Sequence, residues 1–147
     1  MNVLLAAMAY VDLNPIRAGV VERLDALTYT SATERISLAR SGLSPEALLR
    51  PVAGVLPVSL SLSTADYLQV LDWTGRALAP GKRGRIGGRA PAILSVIDKD
   101  AERWEMRVRG YGGGWARAVG CAQDLIDLAG HIGQRWLQGV RLAWLLD

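Results

Sequence analysis

The sequence has few of the residues that cross-link a small fold or hold a metal. Its 147 residues include one cysteine, Cys121, and one histidine, His131. A single cysteine excludes an intramolecular disulfide, and a single imidazole excludes a cluster of histidine and cysteine ligands. No uninterrupted apolar run reaches the roughly 18–20 residues of a membrane-spanning helix. The apolar residues 3–11 lack a basic lead-in and a clear cleavage site, so we expect a cytoplasmic protein without a membrane partner.

Several familiar catalytic motifs are also absent. The sequence has no Gly-x-x-x-x-Gly-Lys phosphate loop, no Cys-x-x-Cys pair and no Gly-x-Ser-x-Gly elbow. Cys121 is expected to be inert, because no base can be placed beside it, and His131 is expected to be a surface or partly packed residue.

The charge is basic and is carried mainly by arginine. Seventeen Lys and Arg against fourteen Asp and Glu give a net charge of +3, and only Lys82 and Lys99 of these cations are lysines. Arginine binds phosphate through a planar, bidentate guanidinium, so this bias favours nucleic acid as a partner. A GC-rich genome enriches arginine as well, so the charge indicates a partner without identifying it.

The apolar pattern predicts a mainly α-helical chain, with no segment that alternates as a surface strand does. Asn14-Pro15 predicts a helix break, Thr30 or Ser31 and Ser63 predict N-caps, and Asp98 is expected to cap the helix that follows it. The predicted helices span residues 3–13, 15–26, 31–40, 64–78, 91–97, 99–109 and 122–146.

Residues 51–62 contain two prolines and no charge, and they predict a boundary between a segment 1–50 and a segment 51–147. In the last helix, a stripe of apolar residues is expected to face the core: Leu125, Ala129, Ile132, Trp136 and Val140. All five tryptophans, at positions 73, 104, 115, 136 and 144, are expected to be core residues more than base-stacking platforms.

The most informative segment is residues 9–19, which read Ala-Tyr-Val-Asp-Leu-Asn-Pro-Ile-Arg-Ala-Gly. Tyr10 and Asn14 are four residues apart and would share one face of a helix. A tyrosine hydroxyl can attack a phosphodiester when a metal ion polarises the phosphate, and an amide oxygen can ligate that ion. Two structural alternatives stand beside this interpretation: Tyr10 as an amphipathic core residue, and Asn14 as the N-cap of a helix starting at Pro15.

This segment resembles the nucleophile helix of the REP-associated tyrosine transposases, a branch of the single-tyrosine HUH transposases. Their motif, Tyr-(Ile/Val)-x-x-Asn-Pro-(Val/Ile)-(Arg/Lys)-x-Gly, fits residues 10–19 without a gap. Residues 66–76, 82–84 and 133–141 resemble more loosely an appended tail of one bacterial branch. The resemblance implies that segment 1–50 is the remnant of an α/β HUH domain, followed by a helical C-terminal extension.

The resemblance also implies site roles. Tyr10 would be the nucleophile that forms a 5′-phosphotyrosine with single-stranded DNA, and Asn14 would be one ligand of a divalent metal, Mg²⁺ or Mn²⁺. Arg17 would lie near DNA phosphate, or would be an ordinary surface cation. The family places two further ligands on a His-hydrophobic-His strand that precedes the tyrosine helix, and this sequence does not contain that strand. We therefore expect a C-terminal portion of a transposase from a truncated, split or wrongly delimited gene, inactive unless the missing half or an oligomer completes it.

A second basic feature is the glycine-rich segment 80–90. Lys82, Arg83, Arg85 and Arg89 fall within eight residues of it and could follow a DNA backbone without reading bases. The alternative is a solvated loop. The same ambiguity applies to the whole chain, which is either a transposase portion or a non-catalytic, arginine-rich module that binds DNA or protein.

The apolar first helix carries a stability expectation. Its residues are apolar around much of the circumference, which suits packing on a sheet. Without that sheet, we expect self-association or poor order of residues 1–30.

Overall fold

A computed structural model of the chain describes residues 2–42, 62–79, 89–98, 100–111 and 120–146. These ranges are mainly α-helical and contain no strand, which confirms the expected helical class. The helices are α1 (Asn2–Asp12), α2 (Asn14–Arg17), α3 (Ser31–Arg40), α4 (Thr64–Leu78), α5 (Leu94–Ile97), α6 (Ala101–Gly110), α7 (Ala122–His131) and α8 (Val140–Leu146), with a 3₁₀ turn at Leu24–Ala26. In the described ranges, no helix is long and apolar enough to cross a bilayer.

The break at Asn14-Pro15 is slighter than predicted. The Leu13 N–H donates to the Ala9 carbonyl at 2.9 Å, and the Arg17 N–H donates to the Leu13 carbonyl at 3.0 Å, so helical hydrogen bonding continues across the junction. Pro15 sits in the first turn of α2, where a missing N–H costs little. The N-cap position is Leu13, without a side-chain cap, so the alternative role of Asn14 as an N-cap is wrong.

The second helix also ends earlier than predicted. It was expected to reach residue 26, but α2 stops at Arg17. Gly19 follows in the left-handed region at φ 71°, a conformation that glycine adopts without steric cost and that terminates the helix.

Two of the predicted N-caps are confirmed and one is wrong. The Thr30 hydroxyl accepts from the Thr33 N–H at 3.3 Å, and the Ser63 hydroxyl accepts from the Asp66 N–H at 3.0 Å. The cap of α6 is Asp100, which accepts from the Arg103 N–H at 2.8 Å. Asp98 is instead buried, with an oxygen 2.9 Å from Nε of Arg107. Burial of Arg107 on α6 gives Asp98 a stronger partner than a helix end.

The core joins α1 and α2 to α4 and α6. Buried residues from these helices form one cluster that includes Leu5, Ala6, Ala9, Leu13, Ile16, Tyr67, Val70, Leu71, Trp104 and Val108. The expectation that the first helix lacks cover is therefore wrong, because helices that follow residue 62 cover it. Leu4 and Val11 of α1 remain exposed. The division at residue 51 stays a prediction.

The predicted C-terminal helix is two helices. Chain reversal between α7 and α8 uses two glycines with positive φ, Gly133 at 70° and Gly139 at 112°. The expected core stripe is consequently split: Leu125 and Ala129 are buried, whereas Ile132 and Trp136 are 53% and 68% exposed. Among the tryptophans, Trp73 and Trp104 are buried as predicted, Trp136 and Trp144 are exposed, and Trp115 lies outside the described residues.

Helix α8 packs on α6 at a glycine. A Cβ placed on Gly110 would lie 2.5 Å from Cδ2 of Leu142, whereas a Cβ on Gly130 of α7 would meet nothing within 4 Å.

We expect Gly130→Ala to raise the free energy of unfolding by about 0.5–1 kcal/mol, because alanine has a higher helix propensity than glycine. Gly110→Ala is expected to give no such gain and to speed amide exchange in α8, because Leu142 must move. Equal stabilisation by both substitutions, with α8 exchange unchanged, would contradict this packing.

Candidate functional site

The structure brings Tyr10 and Arg17 together. The Arg17 guanidinium carbon lies 4.2 Å from the centroid of the Tyr10 ring, and both side chains are half-buried. A guanidinium over a tyrosine face is stabilised by about 0.5–1 kcal/mol at sites of this exposure. Arg17 is thus held beside the ring, and its assignment to DNA phosphate stays a prediction.

Asn14 lies between these two residues in sequence and is exposed. Because helical hydrogen bonding continues across Leu13, Asn14 follows Tyr10 by about one turn and precedes Arg17 by about one turn. The Tyr10–Asn14–Arg17 face, as we call these three residues, is consistent with the predicted shared helix face. In the described structure, no side-chain hydrogen bond joins Asn14 to the other two residues.

The other neighbour of Tyr10 was not predicted. The Tyr111 ring lies with its centroid 5.7 Å from that of Tyr10, at an interplanar angle of 32°. The Tyr111 hydroxyl donates to the Val3 carbonyl at 2.7 Å. Burial raises the pKa of Tyr111 to about 12, with the Arg107 charge opposing the shift. Tyr111 therefore stays protonated near neutral pH and holds the first turn of α1.

Helix α1 also carries a buried carboxylate, Asp12, that sequence reasoning missed. Asp12 accepts hydrogen bonds from the Ser31 hydroxyl at 2.7 Å, the Ala32 N–H at 3.2 Å and the Tyr67 hydroxyl at 2.8 Å. These donors belong to α3 and α4, so one side chain ties three helices together. The available signal was an acid at a position that shares a helical face with Leu5, Ala9 and Ile16.

The charge of Asp12 has a nearby cation. Nη1 of Arg35 lies 3.9 Å from Oδ2 of Asp12 and donates to the Ser31 hydroxyl at 2.5 Å. Burial, followed by the charge of Asp12 and its hydrogen bond, raises the pKa of Tyr67 well above its ordinary value. Tyr67 thus remains a donor to Asp12, and its hydroxyl is committed to the fold.

The described residues contain no group of three or more histidine, cysteine, aspartate or glutamate side chains placed to hold an ion. His131 is exposed on α7, with Nδ1 3.0 Å from the carbonyl oxygen of Asp127. Asn14 offers one neutral oxygen, whereas Mg²⁺ favours carboxylates, so Asn14 alone does not fit the ion.

The basic segment is described only at its end. Lys82, Arg83 and Arg85 lie outside the described residues, and Arg89 is exposed. Their assignment to DNA binding therefore stays a prediction.

Comparison with known proteins finds no match for the chain among family models, curated proteins or solved structures.

Proposed function

We propose that this chain is the tyrosine-bearing portion of a transposase that cleaves and rejoins single-stranded DNA through a 5′-phosphotyrosine at Tyr10. The observation that carries the proposal is the setting of Tyr10, beside a cation and one helical turn from an exposed amide. The remnant α/β HUH origin of segment 1–50 is part of the same proposal, and it rests on the ten-residue motif at 10–19.

The four tyrosines differ in how their hydroxyls are used. Tyr67 donates to Asp12 and Tyr111 donates to the Val3 carbonyl. Within the described residues, the Tyr10 hydroxyl makes no hydrogen bond, and the same holds for Tyr29. Tyr29 is fully exposed in a turn, and no cation is paired with its ring in that part of the chain. Tyr10 thus combines a free hydroxyl with an adjacent guanidinium, which suits attack on a phosphodiester.

In the proposed reaction, Oη of Tyr10 attacks the phosphorus of a DNA phosphodiester. The Oη–P bond forms, the bond from phosphorus to the 3′ oxygen breaks, and a free 3′-hydroxyl leaves. The phenol loses its proton to solvent and the 3′ oxygen gains one. Arg17 would bind a non-bridging phosphate oxygen through its guanidinium. Attack on the phosphotyrosine by a 3′-hydroxyl would rejoin the strand and restore Tyr10.

In this proposal the chain supplies the nucleophile Tyr10, the phosphate contact Arg17 and one metal ligand, Asn14. To test the proposal, the purified chain is incubated with labelled single-stranded oligonucleotides and Mn²⁺ or Mg²⁺, alone and with the N-terminal half of a REP-associated tyrosine transposase. We expect a covalent protein–DNA band on a denaturing gel only in the mixture. An adduct formed by the chain alone, or no adduct with any such half, would contradict the proposal.

The alternative function is a non-catalytic, arginine-rich module that binds DNA or protein. The arginine-rich sequence, in which Lys82 and Lys99 are the only lysines among seventeen cations, supports it. It predicts single-stranded DNA binding by the chain alone, with no adduct in any mixture.

Under either function, the basic segment 80–90 is expected to contact successive phosphates along single-stranded DNA. Changing Lys82, Arg83, Arg85 and Arg89 together to alanine should weaken single-stranded DNA binding similarly for all sequences. The plot of log affinity against log salt should flatten by up to about 0.7 per lost phosphate contact, because fewer counterions are released. Fluorescence anisotropy across a salt series measures both effects. Unchanged affinity and slope would assign these residues to a solvated surface.

A further inference from the structure

We infer that Tyr111 is a positioning residue for Tyr10, so that helix α6 of the predicted C-terminal extension completes the tyrosine site. This inference rests on the proposed function, since it assigns Tyr111 a role in presenting the nucleophile. It is carried by contacts between residues that are about a hundred positions apart in sequence.

Tyr111 contacts α1 at two levels. Its ring packs against Tyr10 with centroids 5.7 Å apart, and its hydroxyl donates to the Val3 carbonyl at 2.7 Å, two turns earlier on the same helix. A tilted aromatic pair at this distance contributes about 0.5–1.5 kcal/mol beyond its buried area. The hydrogen bond fixes the Tyr111 ring, and the fixed ring limits where the Tyr10 ring can lie.

Arg17 acts from within the first segment of the chain. Its guanidinium lies 4.2 Å from the Tyr10 ring centroid. Among the described residues, Arg17 of α2 and Tyr111, which immediately follows α6, thus lie against the Tyr10 ring. Loss of the Tyr111 contact removes a restraint that comes from outside residues 1–50.

Buried contacts hold α1 and α6 together, because the two helices pack in the main core. Leu5 and Ala9 of α1 are buried in the same cluster as Trp104 and Val108 of α6. The Trp104 Nε1–H donates to the Thr74 hydroxyl at 2.8 Å, which ties α6 to α4 as well. The position of Tyr111 relative to α1 is thus set by buried contacts independent of its own ring.

Two substitutions separate the ring from the hydroxyl. Tyr111→Leu removes both the aromatic contact and the hydrogen bond to Val3, whereas Tyr111→Phe keeps the ring and removes only the hydrogen bond. The first readout is ¹⁹F NMR of chain labelled with 3-fluorotyrosine, with the Tyr10 resonance assigned by its loss in Tyr10→Phe. We expect a shifted or broadened Tyr10 resonance in Tyr111→Leu and a smaller change in the same direction in Tyr111→Phe. Tyr29→Leu, at the exposed turn, is the matched control and should leave the Tyr10 resonance unchanged.

The second readout is the single-turnover rate of adduct formation in the reconstituted mixture. A nucleophile displaced by about 1 Å can lose about 100-fold in rate, so we expect a loss approaching that size in Tyr111→Leu. Tyr111→Phe should recover most of the rate, and DNA affinity should change by less than about twofold in both variants, since Tyr111 does not contact phosphate in this account.

The two readouts keep this inference distinct from the proposed function. An unchanged Tyr10 resonance in Tyr111→Leu overturns the inference whatever the adduct assay gives. Absence of any adduct from the unaltered chain counts against the proposed function, while the resonance still decides whether Tyr111 positions Tyr10. If Tyr111→Leu loses cooperative unfolding, Tyr111→Phe decides alone, and a Tyr10 resonance identical to that of the unaltered chain overturns the inference.

Discussion

Replacing Asp12 by alanine is expected to lower the free energy of unfolding by about 3–5 kcal/mol. This is the range seen when one member of a buried ion pair is removed. Three donors from α3 and α4 lose their acceptor, namely the Ser31 hydroxyl, the Ala32 N–H and the Tyr67 hydroxyl. Each buried donor left without a partner costs about 1–3 kcal/mol, and Arg35 loses its nearby counter-charge.

Asp72→Ala is the matched control. Asp72 pairs with Arg76 one turn along α4 at 2.6 Å, and both side chains are about half exposed. Exposed pairs of this kind contribute less than about 1 kcal/mol. Tyr67→Phe should fall between the two at about 1 kcal/mol, because it removes one donor and leaves the other hydrogen bonds of Asp12 in place. Urea unfolding followed by circular dichroism measures all three. An effect of Asp12→Ala as small as that of Asp72→Ala would refute the role of Asp12 as the tie between helices.

Tyr10→Phe is expected to abolish the covalent DNA adduct in the reconstituted mixture, because the ring remains and the attacking oxygen is lost. The fold should be little affected, since the Tyr10 hydroxyl makes no hydrogen bond within the described residues. Tyr29→Phe removes a hydroxyl from an exposed turn and should leave adduct formation unchanged. Asn14→Ala should weaken adduct formation mainly by raising the metal concentration that it requires. Denaturing gels across a Mn²⁺ series measure these effects, and an adduct that persists in Tyr10→Phe would contradict the assignment.

Local signals predicted the elements that local interactions determine. The Thr30 and Ser63 caps depend on a hydroxyl and an N–H three residues later, and both are found. Helix α4 follows its apolar period closely, with Tyr67, Val70, Leu71, Thr74 and Leu78 all buried. In these cases the sequence window contains both partners of the interaction.

The errors occur where a partner from elsewhere in the chain decides the outcome. Asp98 was expected to cap α6, but buried Arg107 takes it as an ion-pair partner. The apolar α1 was expected to need a missing sheet, but α6 covers it. The apolar period of 122–146 continues through Gly133 and Gly139, and a period alone does not show that these glycines turn the chain.

The same distinction separates the site residues that the sequence predicts from those that it does not. Tyr10, Asn14 and Arg17 follow from one short motif, and their helical spacing was available from the sequence. The role of Tyr111 could not be predicted, because residue spacing gives no sign of an aromatic contact between positions a hundred residues apart. Asp12 left a weak signal as an acid on an apolar face, and its three donors become apparent only when α3 and α4 are placed.

The most direct test of the central claim is to identify the tyrosine that carries DNA. Trypsin cleaves after Arg17, Arg23, Arg35 and Arg109, so Tyr10, Tyr29, Tyr67 and Tyr111 fall in four different peptides. After nuclease trimming of an adduct made in the reconstituted mixture, mass spectrometry locates the remaining 5′-phosphonucleotide. We expect the modification on Tyr10, in the peptide of residues 1–17. A modification on any of the other three tyrosines, with the 1–17 peptide unmodified, would contradict it.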